Sequence, residues 1–174
     1  MEKGYLNKNI VFIGEFKPSK FDKFYFIKNQ LLNEDDFLEG SVFLPDIAVI
    51  DTGNYLIEVN HNRFSINFKI VDSKIDFEKL ILVLRDSNVR AFGFNFKRAL
   101  FLNNVSDTKR FFYFEKNILN SHFDTENSAY GYYVSRDFEG SRLKLDMKPV
   151  QLQKVDENLL VNALDFSFNF HFES

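Results

Sequence analysis

Residues 63–70 carry the clearest pattern in the chain. Phe64, Ile66, Phe68 and Ile70 alternate with Arg63, Ser65, Asn67 and Lys69. Strict period two is the signature of a half-buried antiparallel strand. Residues 89–100 alternate in the same way, with Phe92, Phe94 and Phe96 on one face and Ala91, Gly93 and Asn95 on the other. In 160–172, Leu164, Phe166, Phe168, Phe170 and Phe172 oppose Asp165, Ser167, Asn169 and His171. Shorter apolar runs at 9–16, 41–44, 47–50, 55–59, 130–134 and 143–147 read as further strands, with Pro45-Asp46 interrupting one of them. Turns are expected at 51–54, 60–62 and 138–141, and Pro149 is expected to mark a bulge or strand end. The rings Phe92, Phe94, Phe96, Phe166, Phe168 and Phe170 are expected to be mainly buried.

A different period appears in three places. Pro18 ends the first strand, Ser19 suits an N-cap, and Phe21, Phe24, Tyr25, Leu31 and Leu32 recur at helical spacing, which predicts a long helix over 20–32. Asp76 caps a short helix over 77–84, and Ser106-Asp107 precede a second long helix over 108–119. The expected class is therefore α+β: a largely antiparallel sheet with two long helices.

The two long helices share a sequence. Residues 24–31 and 112–119 agree at six of eight positions, at an offset of 88. Each follows a glycine-containing strand and precedes three expected strands, provided that 41–50 is one strand interrupted at Pro45, which points to an internal duplication of a β-α-β-β-β unit. The expected organisation is one domain, 1–174, with pseudo-repeats 8–71 and 88–172 and a linker helix at 76–84. A smaller echo joins residues 65–69, 93–97 and 167–171. Asn67, Asn95 and Asn169 would form a polar ladder with Lys69, Lys97 and His171 beside it if their strands were neighbours.

Composition narrows function chiefly by exclusion. The chain has 174 residues, 23 Phe, 7 Tyr, no Trp, no Cys and a net charge of −3. Without cysteine there is no thiol nucleophile, disulfide framework or cysteine–zinc site. Glycine-rich phosphate loops and the nucleophile elbow are missing. No cofactor is expected. Neither a signal h-region nor a membrane-length apolar run occurs, so a cytoplasmic protein without a membrane partner is expected.

Three candidate sites remain. The first is a basic stretch, 85–110, with six cations against Asp86 and Asp107. Arg90, Lys97, Arg98, Lys109 and Arg110, interleaved with phenylalanines, would suit nucleic acid or an acidic partner. The second is Asp51, Glu58 and His61 around one hairpin; they are too sparse for a metal site to be expected. The third is Pro45-Asp46 followed by Glu58-Val59-Asn60, which resembles the PD-(D/E)xK metal nucleases. That resemblance implies a magnesium held by Asp46 and Glu58, but Asn60 stands where the family has its lysine, and Lys69 would have to replace it.

The leading expectation is a non-enzymatic interaction or assembly module. It would act through a sheet or aromatic surface on a protein partner or on a second copy of itself. Nucleic-acid binding through 85–110 is the alternative, and a degenerate metal nuclease the third reading.

Overall fold

The computed structural model describes residues 3–102, 131–138, 140–154 and 159–173. The fold is mostly β. The strands are β1 (Lys3–Glu15), β2 (Val42–Phe43), β3 (Ala48–Asp51), β4 (Tyr55–Val59), β5 (Arg63–Phe68), β6 (Asn88–Phe101), β7 (Tyr132–Phe138), β8 (Ser141–Lys154) and β9 (Leu159–Glu173). They form one antiparallel sheet in the order β2-β3-β4-β5-β1-β6-β9-β8-β7. Among the described residues the α-helices are two and short: α1 (Lys23–Lys28) and α2 (Phe77–Leu84).

The α+β expectation with two long helices is thus corrected. Residues 20–32 do bury apolar side chains at helical spacing, but from three successive pieces. Phe21 ends a 3₁₀ turn at Pro18–Lys20, Phe26 is the one buried residue of α1, and Leu32 follows the helix. Asp22 starts α1 by accepting a hydrogen bond from the Tyr25 amide at 2.7 Å. Gln30, in the left-handed region at φ 58°, stops it. The helix expected over 108–119 lies outside the described residues. The strand counts of the two halves differ among the described residues: β1 is followed by β2, β3, β4 and β5, with β5 back beside β1, whereas β6 is followed by β7, β8 and β9, with β9 back beside β6.

Two prolines act differently from expectation. Pro45 lies in a turn between separate strands, closed by Leu44 N donating to Ile47 O at 2.9 Å, so 41–50 is a hairpin. Pro149 lies within β8. A Cβ at Gly131, just before β7, would meet Met147 and Lys148, so Pro149 falls where β7 has ended and its missing donor costs no bond to that strand.

The chain divides into two compact units. One holds Asn7–Asn95, Asp137–Arg142 and Phe170–Ser174; the other holds Met1–Leu6, Phe96–Arg136 and Leu143–Asn169. In the first unit, register pairs Ile10 with Ile66, Phe12 with Phe64, and Ile57 with both Ile66 and Ile50. This alternation sends Ile10, Ile50, Ile57, Phe64 and Ile66 to one face, where they meet Phe26 of α1 and Leu80, Val83 and Leu84 of α2. The helices are locked together by Tyr25 Oη donating to Val83 O at 3.0 Å and by Lys20 bonding Asp86 at 2.5 Å. The loop before α2 is held by Lys8 Nζ, which donates to Val71 O and Ser73 O, and by Tyr55 Oη, which donates to Lys74 O.

Asp76 caps α2 by accepting from the Glu78 and Lys79 amides at 3.1 and 3.2 Å. Asp76→Ala should cost about 1 kcal/mol in urea unfolding, the usual worth of an N-cap. The hydrogen bond from Lys20 holds the Asp86 carboxyl below its ordinary range. A lowered folded value means stabilisation that is complete above the unfolded value, about pH 4, and lost as pH falls through the folded one. The gap in urea midpoint between the native chain and Asp86→Asn should therefore be steady near neutrality and close on acidification.

The second unit has a smaller core. Leu102 and Leu164 are buried there with Leu100, Met147 and Phe166 against them. Leu102 N donates to Asn162 O at 2.9 Å, and Phe96 stacks on Phe168 at 4.4 Å. The expectation of mainly buried rings is corrected for both units. Phe92 is 38% exposed, and Phe94, Phe96, Phe166, Phe168 and Phe170 are half-buried.

Candidate interaction surfaces

The described cations of the basic stretch divide between the two units, Arg90 in the first and Lys97 and Arg98 in the second. Arg90 lies 3.5 Å from Glu15. Lys97 lies 3.7 Å from Asp165, a buried carboxylate of β9 that Ser167 also approaches, at 3.5 Å. Its neighbour Arg98 turns to the other face of β6. There it lines a cleft of about 290 Å³ with Phe96, Ala99, Leu100, Phe166 and Phe168. Lys109 and Arg110 lie outside the described residues.

The nearby rings offer few open faces. Phe92 stacks on Phe172 at 4.4 Å and 9° and lies 6.0 Å from Phe12, while Phe96 and Phe168 cover each other. Nucleic-acid bases need a free ring face to stack on. Here a cross-strand partner takes one face of each of these rings.

The acidic candidates are dispersed and paired. Asp51 forms an ion pair with Lys69. Glu58 accepts from Asn67 Nδ2 at 3.1 Å, and His61 meets Asp46 at 3.1 Å. In register, Asp51 faces Leu56 and Glu58 faces Val49, so the two carboxylates occupy different rows of the sheet. Asp46 and His61 lie in turns at one end of β3 and β4; Asp51 and Lys69 lie at the other. The nuclease arrangement of Asp46, Glu58 and Lys69 is therefore not brought together, and among the described residues no group of three or more His, Asp or Glu could hold a metal.

The polar ladder takes a different form from the expected one. β5 and β6 are separated by β1, and Asn9 fills the gap. Asn9 faces Asn67 in register and accepts from Asn95 Nδ2 at 2.8 Å. Asn9 opens the first alternating run of the sequence, but the shared five-residue pattern did not include it.

The sequence reading also passed over the two ends of the sheet. β7 is exposed along its whole length, with Tyr133 at 63% and Val134 at 55%. The consecutive apolar residues 132–134 break period two, a pattern that reads as a strand covered on both faces, so the sequence pointed away from this exposure. At the other end, β2 and its flanks expose Leu38, Val42, Phe43, Leu44 and Ile47. Among the described residues no helix is long and apolar enough to cross a membrane. No family model and no curated protein matches the chain.

Proposed function

We infer that the chain is a non-enzymatic assembly module in which copies join by strand addition at β7. The observation that carries this reading is an edge strand of seven residues, Tyr132–Phe138, exposed throughout. A terminal strand presents a row of backbone donors and acceptors ready to pair with another strand. Proteins commonly blunt such an edge with proline or lysine, and β7 contains neither. Asp137 is bound by Arg142 across the hairpin at 2.5 Å, which neutralises a charge that would otherwise repel an incoming strand.

The test is mass-calibrated light scattering of the intact chain over a concentration series. Average mass should rise with concentration, and Tyr133→Lys with Val134→Pro should keep the chain monomeric without altering its far-ultraviolet circular dichroism. A native chain that stays monomeric across the series, or variants that associate as strongly as the native chain, would overturn the reading.

A further inference from the structure

The opposite end of the sheet differs in chemistry. β2 is the other terminal strand; β3 takes one of its edges, through Val42 against Val49 and Phe43 against Ala48. Around it the chain exposes apolar residues on both faces, Val42 and Phe43 pointing opposite ways. Leu38 is fixed by its amide bond to Asp51 O at 2.9 Å, Val42 and Phe43 follow, and Leu44 and Ile47 close the turn. All five side chains are exposed, Leu44 at 53%. The Phe37 ring lies 6.5 Å from the Phe43 ring.

Charge decides what this end of the sheet can accept. Residues 33–47 contain Glu34, Asp35, Asp36, Glu39 and Asp46 and not one Lys or Arg. Lys23 answers Glu34 at 3.4 Å, but among the described residues Asp35 and Glu39 form no ion pair. An anionic surface of any kind would be repelled. A second copy docking here by two-fold symmetry would set the same carboxylates against each other. A free strand edge favours an extended ligand, whose alternate side chains point to opposite faces.

We propose that the β2 edge docks an extended segment of a different protein, in which apolar residues alternate with lysine or arginine. The apolar side chains lie on the face shared by Val42 and Leu44, and the cations answer the acidic flank that carries Asp35 and Glu39. This rests on the interaction reading above but uses the other end of the sheet, so the two can fail separately.

The probe is a short, end-capped, fluorescent peptide of alternating lysine and valine, titrated against the intact chain by anisotropy. Two control peptides accompany it: alternating glutamate and valine, and lysine with serine. The lysine–valine peptide should bind saturably and more weakly as salt is raised. Leu44→Lys and Asp35→Lys should each weaken it by about tenfold or more, as loss of a central contact does. Both positions are exposed, so thermal unfolding should be unchanged and a binding loss cannot be ascribed to misfolding. Tyr133→Lys should leave peptide affinity intact. Failure of the native chain to bind the peptide, or equal affinity for either control, would overturn the proposal. So would binding insensitive to Leu44→Lys, or a mass increase abolished by Leu44→Lys, which would make the occupant a second copy. That last result would also move self-association away from β7; the peptide results leave the β7 concentration series to judge the assembly reading by itself.

Discussion

Replacing Phe64 with alanine should lower the stability of the intact chain by about 3–5 kcal/mol. The side chain has 0% exposure and sits where sheet and helices meet. Its ring centroid lies 5.5 Å from Phe21, 6.0 Å from Phe12 and 6.2 Å from Phe16. Ile66, Ile10 and Phe26 belong to the same buried cluster. Truncation removes the buried apolar area and leaves a cavity whose walls, held by strand pairing, relax only in part. A domain of ordinary stability has roughly 5–15 kcal/mol in total, so this one change consumes a large fraction. Phe92→Ala is the internal comparison. That ring is 38% exposed, so its loss should cost about 2 kcal/mol or less. Urea unfolding of both variants reads the difference, and equal midpoints would show that the Phe64 environment is described wrongly.

Gly14→Ala should be nearly as damaging, for a geometric reason. A Cβ built at Gly14 would stand 2.1 Å from Asn88 O and 2.9 Å from Val89 Cα. Both are backbone atoms of β6, and neither can swing aside as the end of a side chain can. The added methyl must push β1 and β6 apart just where Gly14 N donates to Asn62 O at 3.2 Å and Phe16 N to His61 O at 2.9 Å. Overpacking typically costs roughly 1–3 kcal/mol. An immovable backbone neighbour puts Gly14→Ala at or above the top of that range. Gly53→Ala, with nothing within 4 Å of its Cβ position, should be tolerated. Matching unfolding midpoints for the two alanine variants would contradict the close approach of β1 to β6.

Legibility in the sequence followed how strongly burial constrains each element. Phe64, Ile66 and Phe68 alternate visibly because one face of β5 lies under α1 and α2 while Arg63 and Asn67 look outward. Asp76 and the helix it caps were readable because N-cap chemistry is local. The extent of α1 was not. Spacings of three, four and seven suit a continuous helix, but a 3₁₀ turn, a short helix and a further turn bury Phe21, Phe26 and Leu32 equally well. Phe24, counted toward the apolar stripe, is exposed. Pro45 separates two strands and Pro149 lies inside one, because proline's effect depends on which neighbour needs the missing donor, and sequence does not name that neighbour. The surroundings of the basic residues were hidden for a related reason: Arg90 and Lys97 have carboxylates near them from other strands, Glu15 and Asp165, that are remote in sequence. The edge surfaces carried a faint signal in residues 33–47 and a misleading one in 132–134, and only the strand order turns an apolar run into an open edge.

Amide hydrogen exchange of the intact chain at low and high protein concentration tests the assembly reading most directly. Strand addition at β7 predicts that amides of Tyr132–Phe138 exchange more slowly as concentration rises, while those of β3, β4 and β5, already paired on both sides, keep the same rates. Exchange along β7 that does not change with concentration would contradict the account.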